Sequence, residues 1–439
     1  MNKKIRLVKI IALVLCICML ENIFEAIGTI VVKAETGEYI GTAETLSGND
    51  AEVELVSENS NTENSNTENS NTENKDSVII AENQKNLLET NKYTIYFDIT
   101  ENAFVIEDLS SLLAFRAIIN DEPNVEVYDE KGLIEDEERI SSLGQNAYMT
   151  ADIDLKNDKA NQWIPIGESL KKPYSGTFES RGHKVDNINS YKISNGTIGF
   201  FAYTKDAEIH DLAVEMDEDA VQKVYGVTYG AVLVGYAIDS KIEACYAYGK
   251  ILGDERPEYN ALEYAGLICG KGESTSIRKC IGEGEVYALQ PTGYIGGREA
   301  YAGGIIGYNS EGVIENSMAF GDISAKGFYS YAGGICGQND NGVITKNYYV
   351  GNAGALVYRN LGKMDNNYIR SLPSDMNKEN ILKVRSTYVD WDFENVWEQR
   401  AEINDGYPFL KETFLPQGKT KYVHPSECAY SIKTGSTLI

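Results

Sequence analysis

Asp152 and Asp154 are the two residues of this sequence whose type and spacing come closest to a catalytic pair. They flank Ile153 in an alternating segment, so both carboxylates are expected on one face of a strand. Paired carboxylates on a strand can cleave glycosidic bonds, and acidic clusters can hold calcium. The chain has 66 acidic residues, however, and close pairs therefore arise by chance. We predict no catalytic residue here, with glycan cleavage as the alternative.

Histidine and cysteine give no stronger chemistry. The chain has three histidines, and none belongs to a His-Glu-x-x-His pair that would bind zinc. His183 follows a glycine and fits a turn residue better than a general base. His424 lies four residues before Cys428, but no third group is available to orient a thiol nucleophile. The sequence therefore predicts a chain without catalytic, cofactor-binding or metal-binding residues.

Tyrosine is the abundant residue with a binding chemistry. There are 29 tyrosines against 12 phenylalanines and 3 tryptophans. A tyrosine supplies a rigid ring and a hydrogen-bonding tip, which suits recognition of protein or sugar. The alternative is that tyrosines simply pack on solvated strand faces. The candidate binding residues lie in or near the segments 253–265, 287–302 and 324–332, and they are Tyr259, Tyr264, Tyr287, Tyr294, Tyr301, Tyr329 and Tyr331.

The elements that must position these residues come from a repeat. A short phrase recurs five times and ends at Ala202, Gly235, Gly270, Gly307 and Gly337. Seven residues after each end point lies an isoleucine: Ile209, Ile242, Ile277, Ile314 and Ile344. Seven residues later, the last four copies place a glycine: Gly249, Gly284, Gly321 and Gly351. Successive copies are 33, 35, 37 and 30 residues apart, so the length varies only outside these positions. Fixed phase with one variable loop per repeat predicts a solenoid.

Short strand signals without intervening helical patterns make this solenoid all-β, and we predict a parallel β-helix. A meander or a sandwich would not require fixed phase over five repeats. Coils of a β-helix lie about 4.8 Å apart, and we expect glycine at each sharp corner. Equivalent positions then stack on one another. Cys245 and Cys280 hold the same position in their repeats, and so do Cys269 and Cys336. We expect these cysteines to be buried without disulfide bonds.

The first 34 residues have the pattern of a secretory signal peptide. Basic residues precede the apolar run 10–20, which is too short to span a bilayer, and Val32-Lys33-Ala34 suits cleavage. Cleavage would change the formal charge from −26 to −29, because five basic and two acidic residues are lost. So acidic a surface repels nucleic acid and anionic lipid. The alternative is an uncleaved membrane anchor.

The remaining chain divides by composition. The repeated Asn-Thr-Glu-Asn-Ser run cannot bury enough apolar surface to order, so 35–77 is predicted to be a disordered spacer. Asp108 can cap a helix from Leu109 to about Asn120, which would cover the first coil. The predicted divisions are 1–34 signal peptide, 35–77 spacer, 78–146 strand and helical cap, 147–358 β-helix, 359–412 aromatic C-terminal cap, and 413–439 irregular tail.

The repeat resembles a known motif family. Gly303-Gly304-Ile305-Ile306-Gly307, followed by Gly312-Val313-Ile314-Glu315-Asn316-Ser317 and Gly321-Asp322-Ile323, is similar to the GLUG motif of secreted and surface bacterial proteins. That motif also accompanies immunoglobulin-A-cleaving metallopeptidases and large adhesins. The resemblance extends over about residues 105–412 and implies a right-handed parallel β-helix in an exported protein. It supplies no catalytic residues, and without a His-Glu-x-x-His pair the peptidase activity is not transferred.

The sequence therefore predicts a secreted or surface-associated, non-catalytic adhesin or binding module. We expect it to be monomeric, to bind host protein, glycan or another cell-surface component through its loops, and to have no transmembrane segment after cleavage. A carbohydrate-active enzyme of the same fold and a passive spacer of a surface assembly are the alternatives. The lysine-, asparagine- and isoleucine-rich signal region suggests a low-GC Gram-positive source.

Overall fold

The computed structural model describes residues 30–34, 37–41, 92–155, 162–217, 219–224, 226–254, 262–290, 299–365, 368–371, 382–401 and 406–411. The chain divides into two compact units, Met1–Ala81 and Glu82–Ile439. In the first unit, β1 (Ile30–Ala34) pairs antiparallel with β2 (Gly37–Gly41). The predicted cleavage point after Ala34 lies between these strands. The rest of the predicted signal peptide and spacer lies outside the described residues.

The second unit begins with a cap that contains both described α-helices. Its elements are β3 (Tyr93–Asp98), β4 (Ala103–Ile106), α1 (Leu109–Ile119), β5 (Val125–Asp129), β6 (Gly132–Leu133), α2 (Glu137–Ser142) and β7 (Ala147–Met149). The Asp108 carboxylate accepts a hydrogen bond from the Ser111 amide at 2.8 Å, which caps α1 as predicted. Phe115 of α1 packs on Phe104, 5.8 Å away, and on Phe178, 5.9 Å away. The helix therefore covers the start of the solenoid core.

Twenty-seven short strands follow in the described part of the chain. They are β8 (Ile153–Asp154), β9 (Thr177–Glu179), β10 (Lys184–Ile188), β11 (Thr197–Ile198), β12 (Phe201–Lys205), β13 (Glu208–His210), β14 (Ala213–Met216), β15 (Gln222–Val224), β16 (Val227–Gly230), β17 (Val234–Ile238), β18 (Lys241–Glu243), β19 (Tyr246–Gly253), β20 (Leu262–Gly266), β21 (Cys269–Glu273), β22 (Ser276–Arg278), β23 (Ile281–Leu289), β24 (Glu299–Gly303), β25 (Ile306–Ser310), β26 (Val313–Glu315), β27 (Met318–Lys326), β28 (Tyr329–Gly333), β29 (Cys336–Asp340), β30 (Val343–Thr345), β31 (Tyr348–Gly351), β32 (Val357–Asn360), β33 (Lys363–Asp365) and β34 (Tyr368–Ser371).

All of these strands except β15 form four parallel stacks, and the chain visits the stacks in turn. The short strand β15 pairs parallel with the C-terminal half of β19. Stack A contains β11, β16, β20, β24 and β28. Stack B contains β12, β17, β21, β25, β29 and β32. Stack C contains β9, β13, β18, β22, β26, β30 and β33. Stack D contains β8, β10, β14, β19, β23, β27, β31 and β34. The result is a β-solenoid of about seven turns, which confirms the predicted parallel β-helix.

The isoleucines that recur once per repeat form the centre of the core. In stack C, consecutive coils pair the same position, and every one of these side chains is fully buried: Ile209, Ile242, Ile277, Ile314 and Ile344. Phe178 precedes this column in register with Ile209. In such an apolar column of like side chains one coil apart, each side chain packs on an identical neighbour. The seven-residue spacing seen in the sequence is thus a stacking rule.

The glycines of the repeated phrase allow close backbone approach at the A–B corner. A Cβ added to Gly303 would lie 1.9 Å from the carbonyl oxygen of Ile306, and one added to Gly333 would lie 2.0 Å from that of Cys336. None of the glycines that begin this corner, Gly266, Gly303 and Gly333, has a positive φ. Glycine is required here because any side chain would collide with the backbone across the turn.

The other two sharp corners are built differently, so the expectation of glycine at every corner is wrong. One left-handed residue, with φ between 47° and 59°, turns the chain from stack B to C and another from C to D. The B–C residues are Asp206, Asp239, Ser274, Glu311 and Asn341, and the C–D residues are Arg181, Asp211, Ala244, Lys279, Asn316 and Lys346. Aspartate and asparagine tolerate this conformation, while the other types adopt it at a cost of about 1–2 kcal/mol each. Burial of the flanking strands must offset that cost.

The four described cysteines are buried and free, as predicted. Cys245 and Cys280 occupy one position at the C–D corner of successive coils, where the Sγ atom of each contacts a backbone carbonyl of the preceding coil at 3.6 Å. Cys269 and Cys336 share a position in stack B, with Ile306 between them. Cys428 lies outside the described residues.

The aromatic C-terminal segment packs along the outer face of stack D. It contains a 3₁₀ turn (Arg385–Thr387), β35 (Trp397–Glu398) and β36 (Phe409–Leu410). The two strands, β35 and β36, pair antiparallel. Trp391 lies 5.2 Å from the ring of Tyr348 and donates a hydrogen bond to the Lys346 carbonyl. Tyr407 lies 5.6 Å from the ring of Phe320, one coil earlier. The predicted aromatic cluster is present, and it binds successive coils together from the side.

Two glycine substitutions test the A–B corner. Gly303→Ala should lower the free energy of unfolding by about 3 kcal/mol or more, because the new methyl group overlaps the Ile306 carbonyl. Gly354→Ala is the matched control, since a Cβ there meets nothing within 4 Å and φ is not positive. It should stabilise the fold by up to about 1 kcal/mol. Urea unfolding of both variants measures the difference, and similar midpoints for the two would contradict the assignment.

Candidate binding surface

Four tyrosines form a ring ladder on the outside of stack A. Tyr229, Tyr264, Tyr301 and Tyr331 are register partners in successive coils. Their ring centroids are 5.5, 5.0 and 5.0 Å apart, with interplanar angles of 16°, 6° and 17°. This spacing is close to the distance of about 4.8 Å between neighbouring strands. We call these four residues the tyrosine ladder.

A second row on stack B faces the tyrosine ladder across the A–B corner. Its members, in coil order, are Tyr203, Tyr236, Lys271, Tyr308, Gln338 and Arg359. Tyr236 stacks on Tyr229 at 4.6 Å, and Tyr308 meets the edge of Tyr264 at 5.6 Å. The glycines of the corner bring the two backbones together, so outward side chains on either side of it touch. We call this row the second row.

Lys271 of the second row lies among several tyrosine rings. Its Nζ lies 5.0 Å from the ring centroid of Tyr236 and 5.5 Å from that of Tyr264. The same Nζ is 2.8 Å from a carboxylate oxygen of Glu273. A lysine in this place keeps the rings in contact by cation–π attraction, and its charge is balanced by the carboxylate.

This aromatic corner is partly buried, and Tyr229, Tyr264 and Tyr308 are half-buried. Tyr203, Tyr236 and Tyr301 are each less than 10% exposed. Burial raises the pKa of Tyr229 and of Tyr308 to about 12, and it raises the pKa of Tyr236 and Tyr264 further. The Tyr308 hydroxyl also donates a hydrogen bond to Asp340 at 3.1 Å. These hydroxyls are neutral at physiological pH, and the interior of the ladder acts as a packed outer layer.

The ladder becomes accessible at its last rung. Phe328, Tyr329 and Tyr358 are 58%, 51% and 58% exposed. The rings of Phe328 and Tyr329 are 4.8 Å apart, and Tyr358 meets the edge of Tyr331 at 5.7 Å. Arg359 places its guanidinium 5.7 Å from the Tyr331 ring and 3.5 Å from the hydroxyl. We call Phe328, Tyr329, Tyr331, Tyr358 and Arg359 the terminal aromatic patch.

The seven predicted tyrosines fall into four groups. Tyr264, Tyr301 and Tyr331 lie in the tyrosine ladder, and Tyr329 lies in the terminal aromatic patch. Tyr287 is on stack D, paired in register with Leu252 and Ser324, and belongs to neither. Tyr259 and Tyr294 lie outside the described residues. The structure thus brings four of the seven together at one corner of the solenoid.

Sequence reasoning missed other members of the aromatic surface: Tyr203, Tyr229, Tyr236, Tyr308, Phe328 and Tyr358. A signal for most of them was available. Each ladder tyrosine precedes the end of its repeated phrase by six residues, and each second-row residue except Arg359 follows the end by one. Reading these two positions along all five copies would have found Tyr203, Tyr229, Tyr236 and Tyr308. Phe328 and Tyr358 have no such phase, and only the structure identifies them.

The carboxylate pair of the sequence also has a defined setting. Asp152 and Asp154 lie on the exposed side of stack D around the buried Ile153, as expected. Asp152 is 3.1 Å from Nδ1 of His183 and accepts a hydrogen bond from the Lys184 amide. Asp154 accepts one from the Asn187 side chain at 2.7 Å. Within the described ranges, no three His, Cys, Asp or Glu side chains are grouped so that they could hold a metal ion.

Comparison with known proteins gives one match. A family model described as the GLUG motif matches residues 299–324. This chain carries a GLUG motif. No curated protein and no solved structure matches the chain. In the part of the chain that the structure describes, no helix has the length and apolarity to cross a membrane.

The GLUG motif corresponds to one coil of the solenoid. It begins with β24 in stack A, continues through β25 and β26, and ends within β27 in stack D. It therefore contains the close glycine corner, the column residue Ile314 and the ladder residue Tyr301. The motif is a structural unit, and its outward positions are free to carry different side chains in different coils.

Alkaline titration tests the burial of the ladder. In the unfolded chain tyrosine ionises near pH 10, whereas Tyr229 and Tyr308 have folded pKa values of about 12. The unfolded state therefore loses protons first, and stability should fall as the pH rises from about 10 to 12. The double variant Tyr229→Phe and Tyr308→Phe should reduce this fall, while Tyr329→Phe, which removes an exposed hydroxyl, should not. Urea unfolding of each protein near pH 8 and at about pH 11 measures the loss of stability between the two pH values. An unchanged pH dependence in the double variant would contradict the assignment.

Proposed function

We propose that this chain is a non-catalytic binding protein of the cell exterior, an adhesin-like module that recognises protein or glycan. The GLUG motif and the parallel β-solenoid fit a surface or binding module. The predicted signal peptide supports a place outside the cell.

The observation that supports this proposal most directly is the exposure of the terminal aromatic patch. Large aromatic side chains are normally buried, and a group of them exposed beside an arginine has the composition of a binding surface. The patch is held by the rigid coils beneath it, so little ordering would be needed when a ligand binds. The buried rungs of the tyrosine ladder support the patch and would not touch a ligand themselves.

Binding to glycan and host-protein arrays tests the proposal. The purified full chain should bind a defined ligand saturably. Tyr329→Ala and Tyr358→Ala should each weaken binding by roughly 10-fold, as expected when a central aromatic contact is removed. Leu170→Ala is the matched control, because Leu170 is equally exposed at 56% but lies near the first coils, far along the chain from the patch. Equal affinities for all three variants, or no ligand on either array, would contradict the proposal.

The carbohydrate-active alternative rests on one contact. Asp152 and His183 are within 3.1 Å of each other on the exposed side of the rod, an arrangement in which a carboxylate can orient an imidazole. The same glycan arrays should be examined for cleavage. Cleavage that Asp152→Asn abolishes would favour this alternative over a binding module.

A further inference from the structure

The tyrosine ladder stops at a strand that has one partner. β28 pairs with β24 through Glu299–Tyr329, Tyr301–Tyr331 and Gly303–Gly333. Each of the preceding strands of the described stack, from β16 to β24, pairs on both sides. Among the described residues, no strand lies against the other edge of β28.

The reason lies in the length of the next loop. After β31 ends at Gly351, five residues lead directly to β32 of stack B. The A–B corner is nonetheless kept, since the amides of Gly334 and Ile335 donate to the carbonyls of Ala355 and Leu356. This last coil therefore supplies the corner and stack B without supplying a strand in stack A. In a parallel sheet, alternate residues of a strand direct N–H and C=O groups to opposite sides, so β28 presents such groups at its outer edge.

The terminal aromatic patch borders this edge. Tyr301 covers one face of the Tyr331 ring, while Tyr358 and Arg359 approach that ring from the stack B side. Tyr329 lies two residues before Tyr331 on the same face of β28, and Phe328 contacts Tyr329. Backbone groups able to pair and exposed rings therefore occur together on a single five-residue strand.

We propose that the edge of β28 binds an extended segment of a partner polypeptide as an added parallel strand. This inference rests on the proposed binding function and names the class of its ligand. The segment takes the place of the next rung. It carries a planar side chain opposite Tyr331, as each earlier rung does, and a small residue two positions later, opposite Gly333. A neutral or basic segment fits best, because the chain as a whole is strongly acidic.

The probe is a synthetic peptide with the sequence of residues 299–308, which begins with β24, the strand that β28 already pairs with. It has tyrosine at its third position and glycine at its fifth. Fluorescence anisotropy should show saturable binding of this labelled peptide to the full chain. Replacement of the tyrosine at the third peptide position by serine, or Tyr331→Ser in the protein, should weaken binding roughly 2- to 10-fold. Tyr287→Ser on stack D should leave it unchanged.

Backbone methylation distinguishes strand addition from simple apolar contact. Two peptides are N-methylated on alternate residues, one on the odd positions and one on the even positions. Only one set of N–H groups faces β28 in a parallel pair, so one peptide should lose binding and the other should keep it. Equal affinity for both methylated peptides, or no binding of the parent peptide, overturns the inference. Binding of a glycan through Tyr329 and Tyr358 without peptide binding would overturn it while leaving the binding function intact. If neither assay finds a ligand, both this inference and the proposed binding function are contradicted.

Discussion

Parallel register between coils is the constraint on which the rest of this structure depends. Each backbone position lies directly over its equivalent in the next coil, about 4.8 Å away. A residue type that suits one coil therefore suits all of them, and like residues collect into columns. The buried isoleucines of stack C are one such column, and the tyrosine ladder is another on the outside. The interior column holds the coils together, and the exterior column covers a corner that would otherwise expose backbone.

The same constraint separates structural from recognition residues. A tyrosine in the middle of the ladder has both ring faces covered by its neighbours, so its contribution is packing. At the last rung the covering partner is missing among the described residues, and Tyr329 and Tyr358 next to that rung are exposed. Identical side chains thus have different roles because of their position in the stack. The five-residue loop after Gly351 decides where that change occurs.

Much of the fold could be predicted from the sequence because periodicity reports stacking directly. The phase of Ile277 and Ile314, the buried cysteines and the Asp108 cap are all local or periodic properties, and the structure confirms them. The corners built on Lys279 or Glu311 were not predictable, since such residues rarely adopt a left-handed conformation and do so here because flanking strands force it. The site was only partly predictable. Tyr301 was chosen for its loop and proved buried, whereas exposure of Phe328 and Tyr358 depends on a strand that the next coil lacks.

A pair of deletions tests the register constraint most directly. Removal of residues 270–306 joins Cys269 to Gly307 and deletes one whole 37-residue repeat, so every column stays in phase. Removal of residues 270–287 deletes about half of that length and places stack A residues against the wrong stack. The account predicts that the first variant keeps a β-rich circular dichroism spectrum and a cooperative urea transition, because coils interact only with their neighbours. The second variant should lose both. Similar unfolding curves for the two deletions would contradict the account.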